Sequence, residues 1–163
     1  MYGDCMDPKK SFVEDYKGVF ILKGLIQRQN NDKFIYRLIN ILLELTKIEE
    51  KDSNLTEMRE IMLKQIIDSD IHIILLKFYA DLSVTEDTKS LLNVLLLTLK
   101  NIYGLFNNID DLQKVNFSLK LLKISEVRKD KIKSSKIEDE LKKEELELLE
   151  DFLKFLKENS VKK

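Results

Sequence analysis

"LLNVLLLTLKNIYG", residues 91–104, packs six leucines and a valine into fourteen positions and places an amide, Asn101, near its end. Leu92, Leu95, Leu96, Leu99 and Ile102 recur at the three- and four-residue steps of one helical face. Leu91, Val94 and Leu97 widen that stripe well beyond a single seam. A helix apolar over so much of its circumference must be covered on two sides.

The cover is predicted by an internal repeat. "VFILKGLIQRQNNDKFIYRLINILLELTKI" (19–48) aligns without a gap on "IILLKFYADLSVTEDTKSLLNVLLLTLKNI" (73–102), 54 residues on. Identities fall at Leu22/Leu76, Lys23/Lys77, Leu38/Leu92, Leu42/Leu96, Leu43/Leu97, Leu45/Leu99 and Ile48/Ile102. Each copy reads as a short helix, a polar turn (27–32 and 83–88) and a longer helix. Thr85 is a candidate cap for the second long helix, with Glu86 and Asp87 at its positive end. Between the copies, 54–68 reads as a further amphipathic helix carrying Met58, Ile61, Met62, Lys64 and Gln65.

After the second copy, 107–115 stands where that helix stood, in shorter form, and "FSLKLLKI" (117–124) imitates "IILLKFYA", with Leu119 matching Leu22 and Leu76. The segment "SEVRKDKIKSSKIEDE" (125–140) is too charged for a core and reads as a charged loop. A last helix, near 138–157, carries Leu146, Leu149, Phe152, Leu153 and Leu156 at helical spacing. Its apolar spacing lasts barely two heptads, which favours docking on the preceding repeat over a zipper. The expected organisation is a leader over 1–10, without order, and one all-α domain over 11–163, its repeats shielding each other's apolar sides.

This pattern resembles the armadillo repeat and the closely related HEAT repeat over about 18–124, most closely in "GVFILKGLI" (18–26) and "LLLTLKNI" (95–102). The resemblance implies a short right-handed α-solenoid acting as a protein-binding adaptor. In that family an Asn on successive third helices, with a Trp one turn earlier, grips an extended peptide. Asn101 and Leu97 occupy those places in the second copy, Lys47 and Leu43 in the first, and the chain has no Trp. The implied partner-binding face is Leu43, Lys47, Leu97, Lys100 and Asn101. A groove lined by lysine suits an acidic segment, or a helix with carboxylates on one side. A second resemblance, to the N-terminal helical bundle of transcription elongation factors of the Leu-Trp type, rests on "LLNVLLLTL" and on Tyr79 near the signature Trp. It implies recognition of short linear motifs in the nucleus. A third expectation, a structural subunit of a stable assembly, draws on the lack of obvious polar end caps.

Composition narrows the chemistry. With 28 basic and 29 acidic side chains, no global field favours nucleic acid or an anionic membrane. The five basic residues of "RKDKIKSSK" (128–136) could contact phosphate or an acidic partner, and Ser134 and Ser135 could be phosphorylated, but the surrounding acids favour a solvated segment. No stretch is apolar enough to span a bilayer or serve as a secretory signal, so an intracellular protein, cytoplasmic or nuclear, is expected. Its sequons at Asn54 and Asn116 then read as chance matches. One cysteine, Cys5, and one histidine, His72, argue against an intrachain disulfide or a zinc centre. His72 reads as a residue of a turn or helix start. No nucleophile elbow or phosphate-binding loop appears, so no catalytic site, cofactor or metal is expected.

Overall fold

The computed structural model describes residues 17–28, 31–47, 55–83, 85, 88–106, 112–134 and 139–160, with backbone alone at 32, 55–59, 112–115 and 159–160. Those residues form seven α-helices: α1 (Gly18–Arg28), α2 (Asp32–Thr46), α3 (Leu55–Ser69), α4 (Ile71–Asp81), α5 (Lys89–Phe106), α6 (Leu112–Ser134) and α7 (Asp139–Ser160). The expected leader and Cys5 lie outside them.

The helices pack in two rows. α4 touches both α1 and α6, while α5 touches both α2 and α7, and the α2–α5 and α6–α7 contacts are the most extensive. α3 lies against α1, α4 and α5. α6 and α7 form an antiparallel pair, because Arg128 meets Glu145 while Lys133, further along α6, meets the earlier Lys142 of α7. α2 and α5 run in the same direction. The end of α2 at Thr46 touches Asn101, and only a parallel course then lets the two lie together for the length of α2.

Burial follows one pattern in the two short helices: buried Gly18, Val19, Leu22 and Ile26 of α1 match buried Ile71, His72, Leu75 and Tyr79 of α4 at an interval of 53. In the long helices the pattern selects no single register. Buried Ile35, Leu38, Ile39, Leu42 and Leu43 fall on buried residues at 56 (Leu91, Val94, Leu95, Thr98 and Leu99) and equally at 53 (Thr88, Leu91, Leu92, Leu95 and Leu96). The gap-free interval of 54 does not match, since it pairs buried Ile39 and Leu43 with exposed Asn93 and Leu97.

α1 and α4 start with the same backbone device. Lys17 and Asp70, also 53 apart, hold φ of 51° and 61°, in the left-handed region that a residue with Cβ adopts at a cost. In each case the carbonyl of that residue accepts from the two N–H groups that open the helix, Phe20 and Ile21 from Lys17, Ile73 and Ile74 from Asp70. Asp70 makes no side-chain cap. It lets α3 end and α4 begin at one residue.

The caps differ between the long helices. Asn31 caps α2, its Oδ1 accepting from the N–H groups of Lys33 and Phe34 at 2.9 and 3.3 Å. The helix range of α5 begins after Thr88, but Thr85 stands as expected at its entry, its carbonyl accepting from the N–H groups of Thr88 and Lys89. The Thr88 hydroxyl reaches back, donating to the Ser83 carbonyl and accepting from the Thr85 N–H, both at 2.8 Å, as the third residue of a capping box does.

Two further expectations are corrected. α6 runs unbroken to Ser134, so the first part of the expected charged loop over 125–140 is helix. Its charges lie on a solvated face, while Ser125 and Arg128 turn inward. And Leu119 is not the partner of Leu22: it is 59% exposed, whereas Leu121 is buried with Leu22 and Leu75. In α6, buried Phe117, Leu121 and Ser125 match Ile71, Leu75 and Tyr79 at an interval of 46. The core these helices enclose is almost wholly aliphatic and aromatic, each fully buried large side chain contributing roughly 1.5–3 kcal/mol before chain entropy.

Candidate partner-binding faces

The five residues of the expected face do not point one way. Leu43 is 6% exposed and belongs to the core. Asn101 lies in the seam between α2 and α5, its amide donating to the Thr46 hydroxyl at 3.2 Å. That hydroxyl in turn donates to the Leu43 carbonyl at 3.0 Å. The amide of the leucine-rich helix therefore joins two helices by hydrogen bond where their ends would otherwise bury unpaired polar atoms. Lys100 leans toward α7, with Nζ 5.3 Å from the centre of the Phe155 ring, which also meets Tyr103 edge-on. Lys47 is exposed and pairs with Glu44 of its own helix at 3.1 Å.

Leu97 does face outward, at 41% exposure, as does Ile41 of the neighbouring helix α2, at 45%. Arg37 and Asn93 are exposed on the same two helices, and Phe34 stands one turn before Arg37 on the exposed stripe of α2. Sequence reasoning missed Ile41, Phe34 and Arg37, because an apolar residue on a leucine-rich helix reads as core until its neighbours are known.

Behind this face, where α4, α6 and α7 meet, lies a polar joint that the sequence did not announce. Arg128 donates through Nη1 to the carbonyls of Tyr79 and Leu82, both at 2.7 Å, and through Nη2 to Oε2 of Glu145 at 2.8 Å. Its guanidinium carbon stands 5.2 Å from the Tyr79 ring centre. The Tyr79 hydroxyl shares a 2.7 Å hydrogen bond with Ser125. Arg128 thus satisfies the carbonyls left open at the end of α4 and ties α6 to α7 by the same group. Burial pushes the Tyr79 phenol up to about 12. Burial also pushes the Glu145 carboxyl above its usual range, against the pull of Arg128. One oxygen of Glu145 and Nε of Arg128 have no hydrogen-bond partner.

His72 is buried between Phe106 and Phe117, at ring distances of 5.5 and 5.7 Å, with Nδ1 3.3 Å from the Ile66 carbonyl. Burial lowers its pKa, only partly offset by that carbonyl and Asp70. Its surroundings are those of a packed aromatic.

Between α5 and α7 a cleft of about 210 Å³ is lined by Leu92, Leu141 and Leu148 with Lys89, Asn93 and Glu144. Lys89 and Glu144 approach to 3.6 Å across it. Glu145 also borders the cleft, but its carboxylate is engaged by Arg128. Among the described residues no cluster of three or more His, Cys, Asp or Glu side chains is arranged to hold a metal ion. No described helix is long and apolar enough to cross a membrane. No protein-family model matches the chain, and neither the curated proteins nor the solved structures yield a match.

Proposed function

We propose that the chain is a short right-handed α-solenoid of armadillo/HEAT-like units, acting as a non-enzymatic adaptor that binds a peptide or helix of another protein. The two rows of helices and the shared burial pattern of α1 and α4 support the solenoid reading. The observation that carries the adaptor reading is Ile41 and Leu97: two large apolar side chains held outward on the packed, parallel helices α2 and α5. Core packing does not require either, and a soluble surface gains nothing from them, whereas a partner covering both would gain their burial. Phe34 and Lys47 extend the surface along α2. Leu43, Asn101 and Lys100 act from behind, by holding the α2–α5 seam and the approach of α7.

The test is photo-crosslinking from Ile41 and from Leu97 in extract of the native cell, with Glu44 as a neighbouring exposed control. A single protein crosslinked from both apolar positions, and lost from the Ile41→Glu/Leu97→Glu chain while its helical circular dichroism is kept, is the expected result. Crosslinks no different from those at Glu44 would end the reading. A subunit of a permanent assembly would bury the same face, and sedimentation of the native complex, which does not dissociate on dilution, would identify that case. The transcription-factor resemblance has less support, since Arg128 of its basic segment is buried against Glu145 rather than offered to phosphate.

A further inference from the structure

The other row of helices carries its own repeated surface. At the intervals set by burial, 53 from α1 to α4 and 46 from α4 to α6, one exposed position recurs three times: Phe20, Ile73 and Leu119. These helices lie side by side, α1 on α4 and α4 on α6. α4 and α6 keep one register along their length, since His72 meets Phe117 near one end and Arg128 reaches Leu82 at the other. The three side chains therefore form a ladder across the row, on a face no described helix covers. Leu119, the most exposed of them, is the residue that sequence matching had assigned to the core.

The ladder is flanked by cations. Lys77 and Lys123 are exposed one turn after Ile73 and Leu119, and Lys120 follows Leu119 directly. Three lysines of the second row and of α6 pair with carboxylates, Lys47 with Glu44, Lys89 with Glu144 and Lys129 with Glu150. Among the described residues, Lys77, Lys120 and Lys123 form no ion pair, although Asp81 and Glu126 stand on the same helices. An apolar line with a run of unpaired ammonium groups beside it calls for an occupant with apolar residues on one side and carboxylates next to them.

We infer that this face docks an acidic amphipathic helix of a partner protein. The helix, rather than an extended strand, follows from the backbone: the row exposes side chains of helices whose N–H and C=O groups are already paired, so an occupant must satisfy its own. Neighbouring helix axes lie about 8–10 Å apart, so successive rungs are about 10 Å from one another. At 1.5 Å per residue, a helix laid across the row meets them about every seven residues. The recognised segment carries apolar residues at about i, i+7 and i+14, with Asp or Glu beside them. This site lies on the row opposite Ile41 and Leu97 and does not depend on them.

Two labelled synthetic helical peptides of roughly 18 residues test it. Both carry leucine at seven-residue intervals; one is flanked by Glu, the other by Lys. Fluorescence anisotropy with the full chain is expected to show binding of the Glu peptide roughly tenfold or more tighter than the Lys peptide, weakening as salt is raised. Ile73→Glu should abolish that binding. Lys77→Glu/Lys120→Glu/Lys123→Glu should reverse the preference, and Ile41→Glu/Leu97→Glu should leave it unchanged. Circular dichroism of each variant confirms its helices. Equal binding of both peptides, or none of the acidic one, overturns the inference. So does self-association that Ile73→Glu abolishes, or co-sedimentation with phosphatidylserine vesicles in preference to the peptide, since the face would then belong to a second copy or to a lipid surface.

Discussion

The α2–α5 seam and the α4–α6–α7 joint hold the same kind of two-row packing by opposite means. The seam is closed by leucines and isoleucines, with one amide–hydroxyl contact, Asn101 to Thr46, at its end. The joint turns on an arginine 6% exposed and a glutamate 1% exposed, with two backbone carbonyls and a tyrosine around them. A leucine seam is forgiving of small slides, because one methyl group can replace another. Hydrogen bonds at 2.7 and 2.8 Å to fixed carbonyls are not, so the joint sets the register of α6 and α7 against α4.

The comparison breaks first at Arg128. Arg128→Ala leaves Glu145 buried without its cation and strips two carbonyls of their donor, so urea unfolding should show a loss of roughly 3–5 kcal/mol. Arg128→Met/Glu145→Leu should recover most of that loss, because neither charge is then stranded. If the single and double variants unfold alike, the pair does not fix the joint.

The seam is sharpened by two leucines that the gap-free alignment treats as equals. Leu43→Ala should cost roughly 2–5 kcal/mol, as a core cavity does. Leu97→Ala should change stability by no more than about 0.5 kcal/mol, as at an exposed site. Equal losses at both would put Leu97 in the core with Leu43 and remove it from the exposed face.

His72 sits where α4 meets the end of α5 and the start of α6, and it gives a pH-dependent difference between apolar and polar packing. Its folded pKa is below the ordinary 6.5, so between those values the unfolded chain binds more protons than the folded one. Its contribution is intact above about pH 6.5 and declines as pH falls toward the folded value. A Tm series from pH 8 to 5 should drop more steeply for the native chain than for His72→Phe. The smallest effect is expected in the first unit, where a Cβ added at Gly24 would meet no atom within 4 Å. Gly24→Ala should raise stability by roughly 0.5–1 kcal/mol in urea unfolding.

The existence of the helices was legible because a period near 3.6 survives any choice of register. The α5 stripe from Leu92 to Ile102 and the α7 stripe from Leu149 to Leu156 both lie where their spacing put them. The register between units was not legible. A helix that buries Leu91, Leu92, Val94, Leu95, Leu96 and Leu99 offers a leucine to almost any alignment, so identities at 38/92 and 42/96 carry little information. Exposure separates the candidates, and exposure depends on neighbours. The joint was invisible for the same reason in reverse. Arg128 lies in a charged run, and Tyr79 and Leu82, nearly fifty residues earlier, take it out of water together with Glu145.

Lys17 and Asp70, the two described residues bent the left-handed way, stand at the doorways of α1 and α4, and each costs about 1–2 kcal/mol to hold there. At Asp70 that bend is the whole hinge between α3 and α4, so the heading of α4 is written in one dihedral. The leucines behind it are free to drift so long as that elbow keeps its angle.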